Sequence, residues 1–167
     1  WRENRINAIH EGTNGIQAMD LLGRKLLGDG GKAFGLLSKR VEATLAAARA
    51  DAALAPLADA LTTRWAALGP AVLKAGKTAA TDLELALANA YLLLDAMGHA
   101  VVAWLWLDQA IAAKRGLDGG DVRRAMLEGK LAAARYFIGW ELPTKDAVLA
   151  TFASVDPLCR DLDPAVL

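Results

Sequence analysis

Glu11 stands directly ahead of Gly12, and Gly12 and Gly15 bracket Thr13 and Asn14. A carboxylate acts as a general base when it lies within hydrogen-bonding reach of a proton and burial raises its pKa. Thr13 and Asn14 are both good N-caps. If Asn14 is the cap, Gln17 sits three residues on, where its side chain reaches back to the cap N–H in a variant of the capping box. A helix is then predicted to start here and to run through Ile16 and Met19 to Leu22 or Gly23. Its start presents unpaired N–H groups and a partial positive charge, a suitable seat for a phosphate, and Gly12 lets another group approach the backbone closely. Spacing alone does not make Glu11 catalytic, because charged residues in turns are usually only solvated.

Other reactive residue types are scattered. His99 follows Asp95 by four residues, which puts both on one helix face; the pair reads as a structural ion pair or hydrogen bond, since a metal site needs further ligands and the other histidine, His10, is remote. No metal is expected. Trp104 and Trp106 point to different faces and read as packing residues. Arg123, Arg124 and Lys130 read as a solvated basic face. Gly28-Asp29-Gly30-Gly31 lacks the following lysine and hydroxyl residue, and the preceding strand, of a phosphate loop. Cys159 has no evident base beside it and reads as inert.

The elements that must hold these residues are helical. Alanine and leucine, both strong helix formers, dominate a chain of 167 residues that is 54% hydrophobic and 23% charged. The Gly28 to Gly31 turn divides it into residues 1–28 and 29–167. Beyond it, Phe34, Leu37, Val41, Leu45 and Ala48 recur at helical spacing, as do Leu57, Leu61, Trp65, Leu68 and Val72 after Pro56, with Pro70 a candidate kink. A third helix is predicted from Thr81 or Asp82 to Arg115, ended by Gly116. A fourth opens near Asp121 with Val122, Met126, Gly129, Ala133, Phe137 and Trp140 on one side, and stops before Pro143. A short fifth covers Thr144 to Ala153. The short connections predict an all-α, up-and-down antiparallel bundle.

The 19 basic and 19 acidic residues cancel, so no net field favours nucleic acid. One cysteine and an N-terminus without secretory features suggest a cytoplasmic protein. The longest uninterrupted apolar run, Val101 to Leu107, is too short to span a bilayer.

The run Ile9-His10-Glu11-Gly12-Thr13-Asn14-Gly15-Ile16-Gln17 resembles the Tyr-Glu-Gly-Thr stretch, followed by a polar residue and Ile-Gln, in the C-terminal helical domain of acyl-CoA dehydrogenases. Arg2-Glu3-Asn4-Arg5-Ile6 resembles the lead-in to that stretch, and Asp20, Gly23, Arg24, Lys25 and Leu26 its continuation in members with an extended C-terminus. The match covers roughly residues 1–27; from Gly31 onward the likeness is to the alanine- and leucine-rich helical extension of that longer subgroup. The resemblance implies that residues 1–28 close the catalytic helical domain and that 29–167 form an added bundle. It implies that the parent enzyme oxidises acyl-CoA to 2,3-enoyl-CoA with FAD, Glu11 serving as base and its own N–H helping to hold the thioester oxygen. Thr13, Asn14 and Gly15 match positions that contact FAD near its phosphates. His10 replaces the family's usual tyrosine, and Gly15 stands where many members have glutamine, so only backbone contact carries over at position 15. The implied partners are an acyl-CoA, an electron acceptor such as an electron-transfer flavoprotein, and further copies in a homo-oligomer. The alternative is a helical assembly module, inactive as an isolated piece.

Overall fold

The computed structural model describes residues 13–163 and 165; Glu11 lies outside them. Every described element is helical. Helix α1, Asn14–Met19, continues into a wider, π-type stretch, Asp20–Leu27. Then come α2, Lys32–Arg49; α3, Ala55–Ala79; α4, Leu83–Ala88; and α5, Ala90–Asp118. Helix α6, Arg124–Tyr136, is followed by a π turn, Phe137–Glu141, and a 3-10 turn, Leu142–Lys145, before α7, Asp146–Ser154, and α8, Leu158–Asp161.

Helix α5 is the centre of the bundle. Helices α1, α2, α3, α6 and α7 all pack against it, and Leu22, Val41, Leu61, Leu68, Leu93, Leu107, Ile138, Leu142 and Phe152 meet in one apolar core. Among the described residues no polar or charged residue is buried, so the ion pairs lie around the rim. By length and composition α5 could cross a membrane; counting uninterrupted apolar residues overlooks this, because Asp95 and His99 break the run without making the helix polar.

The turn between α1 and α2 falls at the glycine run, with Gly30 and Gly31 at φ of 67° and 81°, a conformation glycine adopts at no steric cost. Asp29 accepts a 2.8 Å bond from Ala33 N–H and so covers the start of α2. Leu22 and Leu26, ahead of the turn, belong to the same apolar core as the bundle behind it. Pro70 lies inside α3 without ending it.

Three expectations change. The helix beginning at Asp82 breaks at Asn89, where φ is −108° and ψ 16°. Asn89 Nδ2 donates 2.9 Å to the Asp156 carbonyl, a partner 67 positions away. Next, α5 runs past Gly116 and ends against Gly119 and Gly120. Gly116 serves packing instead: a Cβ there would come within 2.8 Å of Leu127 Cδ1 on α6. The third correction concerns the fourth helix: α6 starts at Arg124 and buries Leu127 and Ala134, the turns after it bury Ile138 and Leu142, while Val122 is 97% exposed and Trp140 69%. The buried set also recurs at helical spacing, one position on from the predicted Met126, Ala133 and Phe137, and the chain continues beyond Tyr136 through the π and 3-10 turns rather than stopping before Pro143.

Candidate functional site

The site begins at the cap of α1. Thr13 has the extended backbone of an N-cap, φ −66° and ψ 149°, and its Oγ1 accepts from Ile16 N–H at 3.3 Å, while its carbonyl accepts from Gln17 N–H at 3.1 Å. Thr13 rather than Asn14 is therefore the cap. Gln17 moves one position too far along the helix for the capping-box role.

With Thr13 as the cap, the N–H groups of Asn14 and Gly15 open the helix and have no acceptor among the described residues, as at any helix start. Both residues are exposed. Among the described residues a Cβ at Gly15 would meet only Thr13 Oγ1, at 3.9 Å, so none of them blocks the approach to this backbone. Gly15 and Met19 line one wall of a cleft of about 380 Å³, with Glu84, Leu87, Ala88, Ala90 and Tyr91 on the other. Thr13, Asn14 and Gly15 thus stay together at one open helix end. An open helix end of this kind can seat an anion.

Just beyond, α1 widens at Asp20. Arg24 Nε lies 2.7 Å from Asp20 Oδ1, a charge contact that lacks hydrogen-bond geometry and leaves this oxygen without a hydrogen-bond partner among the described residues. Neither the widening nor this contact has a counterpart in the apolar spacing of the sequence.

The other candidates resolve into structural roles. His99 Nδ1 sits 2.8 Å from the Asp95 carbonyl and 3.1 Å from Asp95 Oδ1, and its ring stacks on Phe137 with centroids 6.0 Å apart. Lys145 Nζ takes the second carboxylate oxygen of Asp95 at 2.9 Å; an ammonium group there fills the place a metal ion would need. Trp104 Nε1 donates to Thr44 on α2 at 2.8 Å, and Trp106 lies under Lys130 Nζ at 5.2 Å. Arg123 folds back on Asp121, whose carboxyl the Arg123 side-chain and backbone hydrogen bonds hold at about 2, and Arg124 pairs with Glu128 at 2.9 Å. Cys159 is exposed. A polar cleft of about 390 Å³ lies between Lys114, Asp118, Arg124, Glu128 and Arg135, and an apolar one of about 560 Å³ between Leu27, Phe34, Gly69, Leu73 and Gly76.

Comparison with known proteins now bears on this helix start. A family model described as "Acetyl-CoA dehydrogenase C-terminal like" matches residues 37–163. The broad-specificity linear acyl-CoA dehydrogenase FadE5 of Mycobacterium tuberculosis is 30% identical over 172 residues, covering 98% of this chain and 28% of that protein. The 3-methylmercaptopropionyl-CoA dehydrogenase of Ruegeria pomeroyi is 34% identical over 139 residues, 82% of this chain and 23% of that protein. The chain therefore spans about a quarter of the length of these curated relatives. The similarity to the mycobacterial enzyme extends over nearly the whole chain, and the family model covers most of it; on the ground of that model the chain belongs to the acyl-CoA dehydrogenase family, whose C-terminal region it matches.

Proposed function

We propose that the chain is the C-terminal part of an FAD-dependent acyl-CoA dehydrogenase in which Glu11 is the catalytic base. The observation that carries this reading is the open helix start at Thr13, Asn14 and Gly15, two residues beyond Glu11 in a segment that resembles the family's base motif. Both named relatives are acyl-CoA dehydrogenases.

In this reading the Glu11 carboxylate accepts the α-proton of the acyl thioester, and the Glu11 N–H donates to the thioester oxygen, where enolate charge develops. The N–H groups of Asn14 and Gly15, with the Thr13 cap, would hold the cofactor near its phosphates. FAD, when bound, supplies the acceptor for the β-hydride. Proton and hydride together account for the two hydrogens lost as acyl-CoA becomes 2,3-enoyl-CoA. An electron acceptor such as an electron-transfer flavoprotein then removes the electrons, and the enzyme works as a homo-oligomer.

The test is the Glu11→Gln variant of the full-length enzyme, followed through flavin reduction by acyl-CoA in a single turnover, which isolates the chemical step. Loss of a general base costs about 10² to 10⁴ in rate. Binding of acyl-CoA persists. Flavin bleaching at the wild-type rate would place the base elsewhere.

A second reading, a helical assembly module without activity of its own, applies to the chain in isolation. Its support is that the chain covers only 28% and 23% of the relatives. A purified 167-residue chain carrying stoichiometric flavin would refute it.

A further inference from the structure

Helix α5 is apolar nearly all round, a composition that belongs to a helix covered on all sides. The five helices packed against it leave a strip of it uncovered. Leu93, Ala100, Leu107 and Ala110 are buried, while Tyr91, Val102 and Leu105 remain 50%, 40% and 45% exposed. Less than half of its most apolar stretch is buried. The spacing of Tyr91, Gly98, Val102 and Leu105 puts them on one stripe of the helix, and a Cβ at Gly98 would meet nothing within 4 Å, so a neighbour can come close there. The stripe joins α1 through the cleft shared by Tyr91, Leu87, Met19 and Gly15, beside which Ile16 is also exposed. Single exposed apolar side chains are ordinary; several on one helix face, next to an apolar cleft, mark a contact surface.

We propose that this stripe is where the flavin- and thioester-binding part of the dehydrogenase polypeptide docks on the bundle, an inference that rests on the functional reading above. Two arguments select that occupant. The relatives are some four times the length of the stretch matched, since the chain covers 28% and 23% of them, so most of such an enzyme lies outside this bundle and is covalently tied to it. The tether then chooses the face. Glu11 is two residues from Thr13, a reach of at most about 7 Å. A base that serves a thioester held by the rest of the enzyme brings that part within this distance of the α1 start, which is the end of the bundle where the stripe begins. Asp95 falls on the same face between Tyr91 and Gly98 but is taken up by Lys145 and His99, and Asp108 and Gln109 bound the far end, so the partner surface is apolar opposite Tyr91, Val102 and Leu105 and polar at its edge.

The test is side-chain footprinting of the full-length enzyme with a photogenerated carbene. Met19, Tyr91, Val102 and Leu105 label several-fold less than Leu36 and Leu158, which are at least as exposed in the bundle. Equal labelling of the two sets overturns the proposal. So does protection that vanishes on dilution to the monomer, which would assign the stripe to a second copy, or protection that needs phosphatidylglycerol vesicles, which would assign it to a membrane. The footprint reads packing and not turnover: protection in a protein that does not reduce flavin with acyl-CoA sinks the functional reading alone. Normal flavin chemistry with an unprotected stripe sinks this proposal alone.

Discussion

Arg64 on α3 grips Asp146, the first residue of α7, through two hydrogen bonds of 3.0 Å each. The fork-to-carboxylate geometry fixes direction as well as distance, and the carboxylate sits at the positive end of α7. Lys74, ten residues further along α3, donates to the carbonyls of Ala153 and Ser154 at 2.7 and 3.1 Å. Helix α7 is thus tied to α3 at both ends.

For the N-terminal tie, an ion pair on the rim is worth about 0.2 to 1 kcal/mol, and the helix-end charge adds about 0.3 to 1 kcal/mol. Asp146→Ala is expected to destabilise by about 1 kcal/mol in urea unfolding. Arg64→Lys loses the fork but keeps the charge and should cost less than Asp146→Ala; the reverse order would show that the fork geometry dominates.

Helix α7 ends at Val155, whose φ of 57° and ψ of 46° is left-handed geometry that a β-branched residue rarely adopts. Left-handed geometry costs a non-glycine residue about 1 to 2 kcal/mol. Val155→Gly should therefore raise the urea midpoint, offset partly by lost packing of the half-buried side chain. A lower midpoint would mean that packing outweighs strain.

Gly116→Ala improves helix propensity yet forces a methyl to 2.8 Å from Leu127 Cδ1. Overpacking of this kind costs about 1 to 3 kcal/mol, more than the roughly 1 kcal/mol that alanine gains over glycine. The variant melts lower than wild type. In the Leu127→Ala background the same change becomes neutral or stabilising, and a double-mutant cycle reads the coupling.

Asp82 caps α4, accepting from Leu85 N–H at 2.9 Å; this bond first, and the Arg160 guanidinium second, hold its carboxyl below the ordinary carboxylate value. A pKa lower in the folded than in the unfolded chain stabilises the fold above the unfolded value, about 3.9. That stability is lost as pH falls from there through the folded pKa. Asp82→Asn keeps a cap but not the charge. It should be less stable than wild type at pH 6 and approach wild type near pH 3; a gap that does not narrow would assign the effect to shape.

A chain truncated to begin at Gly31 loses Leu22 and Leu26, both buried in the common core. At about 1.5 to 3 kcal/mol per buried leucine, it should still melt cooperatively by circular dichroism, at a clearly lower temperature. Loss of the cooperative transition would place residues 14–27 inside the folding unit and move the division away from Gly28 to Gly31.

The helical class, the glycine turn ahead of α2, the Asp82 cap and the Thr13 to Gly15 helix start were legible in the sequence because each is a local matter of propensity, backbone freedom or a side chain bonding within its own turn. The reading of the Glu11 segment rests on its resemblance to the family motif alone, and Glu11 lies outside the described residues. Tertiary structure decided the rest. Helix α6 is apolar on more than one face, so spacing left Leu127 and Met126 both eligible for the core until α5 took one of them. Asn89 broke a helix for the sake of a carbonyl at Asp156, and Lys145 completed the Asp95 and His99 pair from 50 positions away. Such choices depend on partners distant in the chain, and helical periodicity carries no information about which side a distant partner will approach.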